Sequence, residues 1–436
     1  MSVNPFTYGN PISDPKHFFG RKHEIKQIFS RLRNIEFESS SIVGERRIGK
    51  TSLLNFLRHP KVRLSYGLDS DKYLFIYLDL QMIDKNKTPL WFWQRCLLQM
   101  IRSCQDAEVK LILEVMRAMD TIDNFAIADL FDSMDEKGLC VVFLLDEFEN
   151  VTTNQNFDAA FFYGLRALAT NHHLSFITSS RRELIELCHS EAIRSSPFFN
   201  IFANINLRLF TEEEALHLIF QLLAETGISF THEEINLIFR SAGYHPYFLQ
   251  IACYFLFEAY SQGLASDERV KFMRKEFREE AFPHFNDYWR TSHEQEKIVL
   301  TVLALLKRQH RKVSGRVFSL EQLQELYARS DQTLGYLEKR GLLISEAEGY
   351  SLFSEVFGEW ICNEITDTMH DQQSYEDWLK SNRSILGRLS TKAKTDLGEI
   401  LPKISDKYRE LIITWVSDPK NLIVVAGLLK AALGIG

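Results

Sequence analysis

Cysteine is sparse and unpaired in this chain. The six residues Cys96, Cys104, Cys140, Cys188, Cys253 and Cys362 are spread over 436 positions with no C-x-x-C pair. That spacing excludes a disulfide framework, gives no zinc signature, and with mostly apolar neighbours reads as buried thiols in a reducing compartment. No apolar run reaches the roughly 18 residues needed to cross a bilayer. The opening MSVNPFTYGNPISDP lacks the basic and then apolar order of a signal peptide, so the expected compartment is the cytoplasm. Positive charge is not in excess either: 51 Lys and Arg stand against 58 Asp and Glu, for a net charge of −7, which excludes a general polyanion binder but leaves local basic patches open. Internal repeats and low-complexity tracts are also missing.

What remains is an ordinary globular composition, 45% hydrophobic and 25% charged, in a chain long enough for about three domains at ~150 residues each. From Ser39 to Leu209 apolar runs alternate with amphipathic helical stretches: Ser41–Val43, Tyr73–Leu78, Cys140–Leu145, Leu174–Thr178 and Ile205–Leu209. Strands this uniformly apolar are covered on both faces, the mark of a parallel sheet with crossover helices. Thr211-Glu212-Glu213-Glu214 opens a helical region with a cap and an acidic first turn, running to about Trp289. Helices and a ribbon around Leu342–Ile344 and Tyr350–Leu352, turned at Glu348-Gly349, give the order of a winged helix-turn-helix. The expected division is 1–209, 210–290, 291–370 and 371–436.

Gly44-Glu45-Arg46-Arg47-Ile48-Gly49-Lys50-Thr51 matches G-x-x-x-x-G-K-[ST] at every fixed position, after a strand and before a helix that starts at Ser52. The glycines let backbone N–H groups turn inward to a polyphosphate, the helix terminus adds its positive end, Lys50 reaches the β and γ phosphates, and the Thr51 hydroxyl suits Mg²⁺. The strand Val141–Leu145 ends in Asp146-Glu147: Asp146 is the second metal residue, and Glu147 is placed to orient or deprotonate the attacking water. The first domain is therefore expected to be an α/β P-loop NTPase, its parallel sheet flanked by helices on both faces, followed by a helical lid, a winged helix and a small helical appendage. At the end of the strand Leu174–Thr178, Thr178 or Ser179 is placed to sense the γ phosphate. Arg181 or Arg182 either reaches phosphate, in cis or on a neighbouring subunit, or caps the next helix in solvent.

Five elements in this order carry a family resemblance over residues 4 to 365: the Phe18-Phe19-Gly20-Arg21 box before a helix, the Gly44–Thr51 loop, the Asp146-Glu147 strand, Gly243-Tyr244-His245-Pro246-Tyr247, and the winged helix. The chain resembles the STAND-type and archaeal-type ATPases, relatives of the origin-recognition branch of AAA+ proteins. The resemblance implies ATP or ADP as the nucleotide, an adenine pocket floored by Phe19, Gly20 and Arg21, and a lid whose turn brings His245 and Pro246 toward the nucleotide. It departs from the family in having no unambiguous arginine finger and no repeats after the winged helix.

Between Lys307 and Arg316 the segment KRQHRKVSGR is basic, and Lys339-Arg340 close the expected recognition helix Asp331–Arg340, a combination suited to a DNA backbone. Asp331, Glu338 and neighbouring glutamates dilute that field, and an intramolecular latch reading nucleotide state is the alternative. The apolar stretch Asn421–Leu433 packs into the appendage or docks on a partner. No second catalytic constellation accompanies the nucleotide machinery. The expectation is a slow, Mg²⁺-dependent ATPase switch of a bacterial or archaeal defence or signalling system, forming nucleotide-dependent homo-oligomers and engaging a protein partner through its C-terminal appendage. A DNA-binding loader and a nucleotide-stabilised pseudo-enzyme are the competing readings.

Overall fold

The computed structural model describes residues 3–309, 330–346 and 349–369. Two compact units emerge, one of residues 9–218 and one formed by the residues up to Tyr8 together with those from Ile219 onward.

The first unit holds α1 (Lys22–Leu32), β1 (Ser40–Val43), α2 (Lys50–Arg58), α3 (Pro60–Ser65), β2 (Tyr73–Asp79), α4 (Pro89–Ser103), α5 (Ala107–Arg117), α6 (Asn124–Glu136), β3 (Cys140–Asp146), α7 (Glu149–Thr152), α8 (Ala159–Asn171), β4 (Leu174–Ser180), α9 (Glu191–Arg194) and β5 (Ala203–Asn206). Among the described residues its strands form one sheet of order β2-β3-β4-β1-β5, and every adjacent pair is parallel. Alternation along the strands splits the apolar side chains into two cores. Leu74, Ile76, Val141, Phe143, Leu145 and Phe176 face helices α4, α5, α6 and α8, whereas Ile42, Val142, Leu144 and Ile177 face α1 and α2. Each core withdraws a large apolar area from water, which is why both faces of these strands read as apolar. The fold is the expected α/β P-loop arrangement. The last strand ends at Asn206 instead of reaching Leu209, because Leu207 and Leu209 belong to the apolar run but fill the core beyond the strand.

Register fixes what meets at the carboxyl edge. Tyr77 lies opposite Leu144 and Asp79 opposite Asp146, while Val43 is flanked by Ser180 on one side and Asn206 on the other. The loop after β1 and the acidic pair after β3 therefore emerge on the same edge with β4 between them, where ligands bind in open α/β sheets.

The chain passes between the units along α10 (Glu212–Leu223). The second unit continues with α11 (His232–Ala242), α12 (Pro246–Ser261), α13 (Ser266–Thr291), α14 (Glu294–Gln309), α15 (Ser330–Lys339), β6 (Leu343–Glu346), β7 (Gly349–Leu352) and α16 (Glu355–Met369). Thr231 and Glu234 close a reciprocal capping box at the start of α11. Gly243 ends that helix at φ 60° and ψ −149°, a backbone only glycine adopts, and a Cβ there would lie 2.1 Å from the Phe353 carbonyl oxygen. Residues before Tyr8 also pack in this unit: Phe6 is fully buried, stacks on Phe230 and meets Phe257 edge-on, and Asn4 Nδ2 donates to Glu258 Oε1 at 2.7 Å.

Strands β6 and β7 pair antiparallel with Leu343 opposite Leu352, the expected ribbon. The expected middle helix, most of the basic segment Lys307–Arg316, and the stretches Gln372–Ser381 and Asn421–Leu433 lie outside the described residues. Arg340 is turned inward: it is 6% exposed, and its Nη1 donates to Glu296 Oε2 at 2.7 Å and to Ser292 Oγ at 2.9 Å. It is thus engaged inside the unit and does not present the phosphate contact expected of the recognition helix. All six cysteines are buried. Among the described residues no helix is long and apolar enough to cross a membrane.

Candidate functional site

The site begins where β1 ends. Gly44 N donates to Ser180 O at 3.1 Å, so the loop leaves the sheet hydrogen-bonded to β4. A Cβ on Gly44 would meet Ile48 Cγ2 at 2.9 Å and the Leu207 carbonyl at 3.2 Å, a crowding that only glycine avoids. Arg47 at φ 69° and Gly49 at φ 105° then turn the backbone through left-handed conformations into α2. No side chain caps α2, so its first amides are left to an external acceptor, the situation at helix termini that bind anions.

Lys50 is 4% exposed, and its Nζ donates to Gly44 O at 2.9 Å and Glu45 O at 3.3 Å. An ammonium buried against neutral carbonyls retains a charge that an anion would balance, so the loop fits a polyphosphate. Thr51 Oγ1 donates to Asp146 Oδ2 at 2.7 Å across 95 positions of sequence. Asp146 is 2% exposed and takes two more hydroxyl donors, Tyr77 at 3.1 Å on Oδ2 and Ser179 in a short contact on Oδ1. A threonine hydroxyl against a buried carboxylate beside such a loop is an oxygen donor set suited to Mg²⁺.

Glu147 follows at φ 54°, and its amide donates to Ser179 Oγ at 3.0 Å. Ser179 therefore links the two acidic residues, whereas Thr178, the other candidate sensor, is fully buried and its hydroxyl has no hydrogen-bond partner. Arg181 sits at the tip of β4: its amide donates to Glu149 Oε1 at 3.2 Å, and its Nε lies 3.9 Å from the same oxygen.

Glu149 was not singled out in the sequence, although its place three residues after Asp146 is visible there. Burial, with the Glu147 carboxylate adding to it and Lys50 opposing, pushes its carboxyl from 4.5 up to about 7. Between those two values the folded chain keeps a proton that the unfolded chain has released. Stability from this group therefore falls as pH rises from about 4.5 to 7, and the penalty is fully present above that. Glu149→Gln, which keeps an acceptor for Arg181, is expected to stabilise the protein at pH 8 by roughly 1–3 kcal/mol and to change little at pH 4.5. Thermal melts of both proteins across this range check it; parallel pH profiles would exclude a raised Glu149.

The Phe19-Gly20-Arg21 box is built against the start of α10. Arg21 N donates to Glu214 Oε1 at 2.7 Å, and a Cβ on Gly20 would lie 2.9 Å from that oxygen. The Arg21 guanidinium is buried, lies 4.9 Å over the Phe210 ring and donates to the loop carbonyl of Ile48 at 3.2 Å. Arg21 thus braces the Gly44–Thr51 loop from behind. Phe19 meets His217 edge-on. A further strap, unforeseen in the sequence, lies along α2: Arg47 Nη1 donates to Gly9 O, Ile12 N to Ser52 Oγ at 3.0 Å, and Asn55 Nδ2 to Ile12 O at 3.1 Å. The Ser52 side chain serves this strap, leaving its backbone at the helix start. His245 and Pro246 belong to the second unit, where His245 is buried with Nε2 3.1 Å from the Tyr288 hydroxyl and Pro246 opens α12.

With this geometry in view, the family model described as Novel STAND NTPase 2 matches residues 34–306. The chain belongs to that family. This STAND NTPase is also similar to an uncharacterized ATP-binding protein of Methanocaldococcus jannaschii, 24% identical over 253 residues that cover 52% of this chain and 68% of that one. Among solved structures, it resembles a Walker-type ATPase of Pyrococcus abyssi at 15% identity and a TM-score of 0.49, over 80% of this chain and 98% of that chain. It also resembles the Aeropyrum pernix ORC2 protein at 14% identity and a TM-score of 0.46, over 79% and 93%.

Proposed function

We propose that this STAND NTPase binds ATP with Mg²⁺ and hydrolyses it slowly, using the nucleotide state as a regulatory switch over conformation, self-association and engagement of a protein partner. The observation that carries the reading is the meeting of Thr51 with Asp146, beside a buried Lys50 whose partners are neutral carbonyls. Gly44 to Ser52 would cradle the phosphates, and Thr51 with Asp146 would hold the metal. Bound there, Mg²⁺ would supply positive charge to the β and γ phosphate oxygens. Glu147 is the candidate base and Arg181 a candidate phosphate contact. Phe19, Gly20 and Arg21, with His245 and Pro246 from the lid, are the candidate adenine side. The choice of adenine is supported by the ATP-binding description of the Methanocaldococcus jannaschii relative.

In this reading residues 1–209 carry the NTPase domain, apart from those up to Tyr8, which pack in the second unit, while 210–290 form the lid, 291–370 a winged helix and 371–436 an appendage that docks on the partner. The inward ion pair of Arg340 with Glu296 supports a winged helix acting as a latch over one gripping duplex DNA. A setting in bacterial or archaeal defence or signalling fits a switch whose sequence shows no second catalytic constellation.

Light scattering with ADP and with a non-hydrolysable ATP analogue tests the switch. A larger mass with the analogue is expected, absent in Lys50→Ala. Equal masses in the two nucleotide states would overturn nucleotide-driven assembly.

A further inference from the structure

The metal-binding carboxylate has a partner that the sequence motifs do not mention. Tyr77 lies on β2, an edge strand of the sheet, opposite Leu144 of β3. Strand alternation puts Tyr77, Leu144 and Asp146 on one face, and the phenol leans along the strand until its hydroxyl is 3.1 Å from Asp146 Oδ2. An aliphatic residue would fill the apolar pattern of this face equally well; only the hydroxyl reaches the carboxylate.

The ring is itself held. The Arg58 guanidinium lies 4.3 Å over its centroid. Arg58 is the last residue of α2, the helix that opens with Lys50 and Thr51. One rigid helix thus supplies the Thr51 hydroxyl to Asp146 at one end and the clamp on the Tyr77 ring at the other. Tyr77 also lines a cleft of about 450 Å³ with Ser13, Asn55, His59 and Gln99.

We propose that Tyr77 is a positioning residue for Asp146, that Arg58 positions Tyr77, and that the pair sets how tightly the site holds Mg²⁺. This inference rests on Thr51 and Asp146 being the metal residues. Asp146 Oδ2 accepts from both Thr51 and Tyr77, while Ser179 holds Oδ1. Thr51 is itself a metal residue in this reading, so Tyr77 and Ser179 are the donors whose role is to orient the carboxylate. Hydrogen-bonding partners of a metal ligand are commonly worth ~10–100-fold in metal affinity.

The test is a Mg²⁺ titration of the affinity for a fluorescent ATP analogue, with the full chain and with the affinity in EDTA as baseline. Tyr77→Phe, which keeps the ring and loses only the hydroxyl, is expected to raise the Mg²⁺ midpoint ~10-fold and leave the EDTA affinity unchanged. A packing role would move neither, or both together. Arg58→Gln, at an exposed position, is expected to shift the midpoint in the same direction by ~3-fold and keeps the test open should Tyr77→Phe fold poorly. A Tyr77→Phe curve superimposed on the wild type, with Asp146→Asn strongly displaced, would overturn the inference alone. An Asp146→Asn midpoint equal to the wild type would overturn the metal assignment beneath it.

Discussion

Alanine in place of Lys50 is expected to weaken ATP binding by ~100-fold, equivalent to about 2.7 kcal/mol, and to leave turnover undetectable. Lys50 is buried at the start of α2 with its ammonium on Gly44 O and Glu45 O, both of them loop carbonyls. A carbonyl is a weaker partner for a cation than a phosphate oxygen, so an arriving polyphosphate converts neutral contacts into charge-assisted ones, each worth about 1.5–3 kcal/mol. Removing the side chain forfeits those contacts; in the nucleotide-free fold it loses two bonds to neutral carbonyls and a charge that holds the Glu149 carboxyl down, with no close ion pair among the described residues. The melting temperature without nucleotide should therefore stay near that of the wild type, while the stabilisation by added nucleotide disappears. The affinity loss should persist in EDTA, which separates the lysine from the metal residues. Titration with a fluorescent ATP analogue, with and without Mg²⁺, measures both arms, and full affinity in Lys50→Ala would remove the phosphate assignment of the loop.

The loop was legible in the sequence because its chemistry is local: eight consecutive residues carry the glycines, the lysine and the threonine, and flanking patterns place them between strand and helix. Asp146 and Glu147 were legible because six apolar positions, Cys140–Leu145, announce an interior strand that ends on them. Tyr77 was hidden although its strand was expected, since strand order decides which neighbour it meets. Residues 73–79 show an apolar run, and nothing in that run says that β2 lies beside β3 with Tyr77 one diagonal from Asp146. Glu149 stood in plain view, but its raised carboxyl comes from burial and from the Glu147 charge beside it, a property of packing. Nothing local in the sequence places the Arg21 or Arg340 guanidinium inside the fold, and both are drawn inward by acceptors distant in sequence: Ile48 O in one case and Glu296 in the other. Residues 3–8 carry no periodicity, so the burial of Phe6 against Phe230 and Phe257 had no local signal at all.

Glutamine at position 147 is expected to slow hydrolysis by ~100–1000-fold, the loss of a general base, while ATP affinity stays within about threefold of the wild type. The backbone there is fixed independently of the side chain: φ is 54°, the amide donates to Ser179 Oγ, and the carbonyl accepts from both Asn150 N and Asn150 Nδ2. A non-glycine residue held in the left-handed region costs about 1 kcal/mol, and these bonds maintain it at the turn that aims residue 147. Glutamine keeps the shape and removes only the proton-accepting charge, so a fall in single-turnover rate reports chemistry and not folding. A nearby carboxylate competes for the role. Glu149 is raised to about 7 and would be only part-ionised at neutral pH, and it is occupied by the Arg181 amide. If Glu147 is the base, Glu149→Gln should retain most turnover and Glu147→Gln should not. The reverse ranking would move the base to Glu149, and equal rates for wild type and both variants would leave a protein that binds nucleotide without acting on it.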